Sequence, residues 1–293
     1  MAVSVYRGRF APSPTGPLHL GSLSAALASF LDARAADGTW LLRIEDIDPP
    51  REQHGAAQRI ISSLLRHALY WDGDPIYQSR RHDAYEQVMS RLLADGHAFH
   101  CTCSRKDLQA GHGRHASACP RSRTPPPGPG AIRLEAAAAP YRFNDLILGE
   151  VRLPRPSGDD DFVLRRRDGL YAYQLAVVVD DAQQGITHVV RGRDLLDSTP
   201  HQILLHALLG RPAPRFGHVP LLLGPRGEKL SKQNHAPALD DMQPEQNLLQ
   251  CLSVLGQVLP PLDIRRDCST ILRWAIQHWQ RASVPHCDRR VPS

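Results

Sequence analysis

Arg9-Phe10-Ala11-Pro12-Ser13-Pro14-Thr15-Gly16-Pro17-Leu18-His19-Leu20-Gly21-Ser22 is the stretch on which the fold turns. It leaves a short apolar strand and passes two prolines, a Thr-Gly turn and a His-x-Gly step. It then enters an alanine-rich helix predicted over residues 23–36. Strand, glycine turn and helix N-terminus together make a phosphate site, because free backbone N–H groups and the helix dipole point at the ligand. Gly21 lets a nucleotide approach the backbone closely, and His19 places an imidazole beside it. An isolated His-x-Gly more often just opens a core helix, so the whole string carries the reading.

Working outward, residues 3–10 read as the first strand, and Asp37-Gly38 closes the helix. Thr39-Trp40-Leu41-Leu42-Arg43-Ile44-Glu45 is a β-rich run expected to lie parallel to the first strand. In such a β-α-β unit, ligands bind beyond the carboxyl ends of the strands. Glu45 sits at one such end, where a carboxylate suits the ammonium of an amino acid; a solvated acidic loop is the alternative. Thr187-His188-Val189-Val190-Arg191-Gly192 reads as a buried parallel strand, with Arg191 at its end, facing the pocket of Glu45 and Arg9. Two arginines for carboxylates and one glutamate for an ammonium suit a small acidic amino acid. Tyr173 adds a hydroxyl, and the apolar segment it opens leads to the pair Asp180-Asp181.

The middle of the chain is irregular. Cys101-x-Cys103 and His115-x-x-x-Cys119 form two short-spaced pairs of the donors that tetrahedral Zn²⁺ prefers. His100 and His112 compete for the fourth place. Residues 124–130 are almost all proline and glycine and must form a loop. Arg165-Arg166-Arg167 reads as a solvated strand end, with phosphate contact as the alternative. A second cluster of amines, Lys229-Leu230-Ser231-Lys232-Gln233, lies far down the chain. Helices are expected over residues 244–255 and 267–280, and residues 282–293 look frayed and polar.

The 293 residues suffice for one large or two modest cores. A 42% hydrophobic and 22% charged composition fits a soluble globular chain. No apolar run approaches the roughly 18 residues of a membrane span, and no signal peptide is evident, so a cytoplasmic protein without a membrane partner is expected. The net charge of +5 suits a nucleic-acid partner without requiring one. The six cysteines are too unevenly placed for a disulfide framework and point instead to metal.

Pro-Ser-Pro-Thr-Gly-x-Leu-His-x-Gly resembles the ATP signature of class I aminoacyl-tRNA synthetases in their glutamyl and glutaminyl branch. That branch carries a distant lysine loop, which Lys229 to Gln233 resembles, with Gln233 in place of the usual final Ser or Arg. The likeness runs over roughly residues 5–285. With its Cys-x-Cys insertion, and about sixty residues after the lysine loop, the chain is similar to the glutamyl-queuosine tRNA(Asp) synthetases, truncated paralogues of glutamyl-tRNA synthetase. The resemblance implies an α/β fold: a Rossmann-like parallel-sheet catalytic domain with a zinc-bearing insertion and a short helical C-terminal region. Its divisions are expected at residues 1–98 and 161–212 for the two halves of the catalytic domain. Residues 99–160 are the zinc insertion and acceptor-type subdomain, and 213–293 the lysine loop and C-terminal helices, without an anticodon-binding domain.

Carried over by motif, Arg9, Ala11, Ser13, Glu45, Tyr173 and Arg191 contact glutamate. His19, Gly21, Lys229 and Lys232 serve ATP, with His19 and Lys232 in the catalytic roles. Cys101, Cys103, His115 and Cys119 hold one structural zinc; the family usually has tyrosine where His115 stands. The implied reaction uses ATP with Mg²⁺ to activate L-glutamate without tRNA. It then esterifies the cyclopentene diol of queuosine in the anticodon loop of tRNA(Asp). A monomer is expected. Two alternatives are a conventional synthetase charging a tRNA 3′ end and a non-catalytic, zinc-stabilised tRNA-binding paralogue.

Overall fold

The structure is a computed structural model that describes residues 5–224, 227 and 238–290. Its centre is a parallel sheet. Strand β1 (Arg7–Phe10) pairs with β2 (Thr39–Ile44), which pairs with β3 (Ile76–Tyr77), all in parallel. On the far side of β1 lies β9 (His188–Gly192), joined where Thr187 N–H donates to the Arg7 carbonyl at 2.9 Å. β10 (Arg215–Val219) pairs in parallel with β9, which carries the sheet past residue 212.

Helix α1 (Leu20–Arg34) links β1 to β2. It is buried on nearly every side, as an alanine-rich helix without an amphipathic stripe must be. Leu23, Leu27 and Leu31 meet Trp40, Leu42 and Ile44 of β2 in one core. Helices α2 (Ala56–Arg66), α7 (Pro244–Val254) and α8 (Cys268–Gln277) pack into the same core. A second core forms between α3 (His82–Ala94), α5 (Tyr173–Gln184), α6 (Thr199–Leu208) and a small antiparallel sheet. That sheet runs β4 (Ala98–Cys101), β5 (Ala131–Leu134), β8 (Phe162–Arg165). The short helix α4 (Arg105–Ala110) sits in the loop between β4 and β5. A hairpin of β6 (Arg142–Asp145) and β7 (Gly149–Arg152) leaves this insertion and docks on β10, where Leu146 N–H donates to the Phe216 carbonyl at 2.7 Å.

Most elements follow the sequence reading within a few residues. The apolar segment that Tyr173 opens is a helix, ended by Gly185 at φ +64°. The tail departs from the reading: residues 282–290 are tied down, not frayed. Arg281 donates to both Asp32 oxygens, at 2.9 and 3.0 Å, and Trp279 Nε1 donates to the same carboxylate. Val284 is buried, and the last strand, β12 (Arg289–Arg290), pairs in parallel with β11 (Leu222–Leu223). One anchor is an acid inside α1, about 250 residues away in sequence, and the other is β11, nearly 70 residues away, so a local reading of a polar tail could not find them. Among the described residues no helix is long and apolar enough to cross a membrane.

Candidate active site

Arg9, Glu45 and Arg191 stand at or just beyond the carboxyl ends of β1, β2 and β9, where open parallel sheets bind ligands. They share one cavity of about 970 Å³. Ala11, Ser13 and Tyr173 line the same cavity, so the structure brings together all six residues carried over for glutamate.

Arg9 and Glu45 of the cavity wall are held from behind by an ion network that the sequence reading left out. Asp181, on the buried face of α5, accepts from Arg9 Nε at 3.2 Å and from Arg43 Nη1 at 2.8 Å. Arg43 also donates to Glu45 Oε1 at 3.3 Å and to Gln184 Oε1 at 2.7 Å. The neighbouring Asp180 accepts from Gln78, Arg81 and Tyr85. Burial pushes the Asp181 carboxyl up, but Arg9 and Arg43 outweigh it and hold the group at about 2. For Glu45 the balance is reversed: burial raises its carboxyl above the usual range against the pull of Arg43 and Arg9. An arriving ammonium therefore gives Glu45 a charge partner that the protein supplies only in part. Arg43 had a signal in the sequence, standing two residues before Glu45 and thus on the same strand face.

Arg191 is 5% exposed. Its donors go to neutral acceptors: His218 Nε2 at 3.1 Å, Gln202 Oε1 at 2.7 Å, Thr199 Oγ1 at 2.9 Å, the Leu195 carbonyl at 3.2 Å and, at 3.5 Å, the Tyr173 hydroxyl. Among the described residues no carboxylate lies within ion-pair distance of it. Burial lowers the guanidinium from its usual value, yet an arginine stays charged in a protein. Asp181 and Glu45 act on it only from beyond contact. A desolvated cation without a contacting counter-ion is costly, and an anion in the cavity relieves that cost.

His19 caps α1: its Nδ1 accepts from Ser22 N–H at 3.2 Å, and Ser22 Oγ accepts from His19 N–H at 3.3 Å. With Nδ1 an acceptor, the neutral ring carries its proton on Nε2. The cavity wall includes Ser13 and Thr15 but neither His19 nor Gly21. Lys229 and Lys232 lie outside the described residues. Of the three arginines at the end of β8, Arg166 reaches the cavity and pairs with Asp48 at 3.0 Å.

A second cluster sits in the insertion. The donor atoms of Cys101, Cys103, His115 and Cys119 all lie within 4.8 Å of one another, and neither His100 nor His112 belongs to the group. His115 Nδ1 is 3.4 Å from Cys101 Sγ and 3.5 Å from Cys119 Sγ. Its Nε2–H donates to Asp161 Oδ2 at 3.1 Å. A carboxylate behind a histidine fixes the tautomer that leaves the other nitrogen's lone pair free for metal. Burial lowers the His115 pKa despite Asp161, which keeps the ring neutral. Three thiols and one oriented imidazole fit a closed tetrahedral zinc site.

A parallel sheet with an acid and two arginines at its carboxyl edge is the setting in which the comparisons with known proteins are read. The family described as tRNA synthetases class I (E and Q), catalytic domain, matches residues 5–251. Glutamyl-Q tRNA(Asp) synthetases of Pseudomonas fluorescens and Serratia proteamaculans are 52% and 50% identical, over 96% of this chain in each case and 94% and 92% of theirs. A crystal structure of a glutamate tRNA ligase from Elizabethkingia meningosepticum, in complex with its amino acid, superposes with a TM-score of 0.80 at 26% identity. It covers 98% of this chain and 67% of that one. The chain belongs to this class of ligases, and within it to the glutamyl-Q tRNA(Asp) synthetase family.

Proposed function

We propose that the chain activates L-glutamate with ATP in the absence of tRNA, and then transfers it to the cyclopentene diol of queuosine in the anticodon loop of tRNA(Asp). The observation that carries this reading is geometric: one cavity holds the buried Arg191, which among the described residues has no carboxylate within ion-pair distance, and the buried carboxylate of Glu45. An amino acid with a second carboxylate answers both. In this reading Arg191 takes a glutamate carboxylate, Glu45 takes the ammonium, and Arg9, Ala11, Ser13 and Tyr173 complete the contacts. The names of the relatives support the choice of glutamate and of tRNA(Asp).

Chemistry then follows from position. An oxygen of the α-carboxylate attacks the α-phosphorus of ATP in line, and the bond to pyrophosphate breaks. No protein nucleophile is required, because holding the two reactants in line and stabilising the developing charge supply the rate. His19, Gly21, Lys229 and Lys232 serve the nucleotide by motif. Mg²⁺ accompanies ATP and screens its phosphates. A ring hydroxyl of the modified base next attacks the mixed anhydride, and AMP leaves. Cys101, Cys103, His115 and Cys119 hold one Zn²⁺ that shapes the insertion and takes no part in the reaction. The protein works as a monomer.

Glutamate-dependent exchange of labelled pyrophosphate into ATP, run without tRNA, tests the first step. Exchange with glutamate and not with glutamine or aspartate is expected. Exchange that appears only when tRNA is added contradicts the proposal.

A further inference from the structure

Arg191 can present a carboxylate with either of two edges of its guanidinium, the Nε–Nη2 side or the Nη1–Nη2 end. The choice is made by what occupies Nε. His218 on β10 accepts from Nε at 3.1 Å and is fully buried. Its other nitrogen, Nδ1, is 2.6 Å from Asp145 Oδ2. A carboxylate only accepts, so the proton lies on Nδ1, and Nε2 offers its lone pair to Arg191. Asp145 is itself fixed. Its Oδ1 accepts from Ile147 N–H and Leu148 N–H at 2.9 Å each, and from His218 N–H at 3.2 Å. Phe216 stacks its ring over the guanidinium, 5.0 Å from Cζ to the centroid, and blocks rotation out of this plane.

The wall of the cavity completes the argument. Tyr173 and Leu195, which hold the Nη groups by the longest contacts, belong to it; His218, Thr199 and Gln202 do not. Each Nη thus makes one short bond inward, to Gln202 or Thr199, and one longer contact to a residue of the wall, which a carboxylate can replace, while Nε donates only inward, to His218. We propose that His218, held by Asp145 of the β6–β7 hairpin, is a positioning residue for substrate. It occupies Nε and so commits Arg191 to end-on recognition of the substrate carboxylate. Burial keeps His218 below its usual pKa against the pull of Asp145, which preserves the acceptor. The inference rests on Arg191 being the glutamate anchor.

Two variants of His218 separate positioning from mere support. A glutamine side chain is long enough to put an acceptor near the Nε2 position, whereas asparagine reaches only the Nδ1 position and the Asp145 contact. In pyrophosphate exchange, His218→Asn raises KM for glutamate about 10- to 100-fold, the cost of one hydrogen bond to a charged group. Its kcat and its KM for ATP hold, and His218→Gln recovers most of the loss. Better rescue by His218→Asn, or an unchanged KM for glutamate in both, overturns the inference. If neither variant folds, nitrogen NMR of the wild-type protein decides. The Arg191 Nε–H signal stays in place on adding glutamate while the Nη signals move; an Nε signal that moves as far as the Nη signals overturns it. Arg191→Lys is the control. An unchanged KM for glutamate there removes the anchor itself, a result distinct from failure of His218 alone.

Discussion

Arg191 holds a full positive charge at 5% exposure among neutral acceptors. Arg191→Ala is expected to lower kcat/KM for glutamate about 100-fold or more, in line with losing a charge-assisted carboxylate pair. Its effect on KM for ATP stays within about 3-fold, half a decade on the affinity scale. Equal loss for both substrates in pyrophosphate exchange contradicts the assignment. His188 gives a pH prediction at the same scale. It stacks on Tyr6 at 3.9 Å, and burial lowers its pKa to about 4, with Arg215 and Arg281 adding to burial and Asp32 opposing it. The unfolded chain binds this proton near the ordinary value of about 6.5, so below that pH unfolding is favoured. Stability from His188 is complete above about pH 6.5 and drains away as pH falls toward 4. Thermal midpoints measured across that window fall, and His188→Gln flattens part of the fall; an unchanged slope contradicts the prediction. Arg9, Glu45 and Arg191 were legible in the sequence because strand ends can be read from local pattern. Asp145 and His218 were not. They meet across 73 residues, and nothing local announces that a hairpin of the insertion docks on β10.

The elements divide the same way. The Cys101 to Cys119 knuckle was legible from spacing alone, and the structure selects His115 over His100 and His112. Asp161 was not legible, being 46 residues from the histidine it orients. Asp161→Asn is expected to weaken zinc binding about 10- to 100-fold, as loss of a carboxylate behind a metal-bound histidine does elsewhere. Competition with a chromophoric chelator reads this directly, and unchanged affinity contradicts the role given to Asp161. The C-terminal tail was read as frayed because its composition is polar. It is held at its head by Asp32 in α1, a buried acid that takes Arg281, and further on by Leu221, whose N–H donates to Asp288 and whose carbonyl accepts from Arg289 N–H. Among the described residues, Arg281→Ala leaves that carboxylate with Tyr6 and Trp279. A loss of about 1–3 kcal/mol in urea unfolding is expected, the range for stripping a partner from a buried polar group. A loss below the error of the measurement contradicts the anchoring.

At the scale of the molecule, the catalytic sheet and α5 are joined through charge. Asp181 binds both Arg9 of β1 and Arg43 of β2, and Asp180 beside it binds Gln78, Arg81 and Tyr85. The network includes Arg9, Glu45 and Gln78 of the cavity wall, so the residues that join the sheet to α5 also shape the candidate site. Asp181→Ala takes the contacting carboxylate from the buried Arg9 and leaves Arg43 with Glu45 and Asp180. A loss of about 3–5 kcal/mol in urea unfolding is expected, and a loss below about 1 kcal/mol contradicts the role given to Asp181. The parallel sheet and its ligand edge were legible from one β-α turn because such folds place sites by topology. The docking of insertion, sheet and tail was not, since it depends on contacts between distant segments. The central claim concerns where glutamate ends up. Total tRNA from a queuosine-containing cell is incubated with the protein, ATP and labelled glutamate, digested, and its nucleosides separated. The account predicts label on the queuosine nucleoside of tRNA(Asp), and none when queuosine is absent. Label on the 3′-terminal adenosine contradicts it.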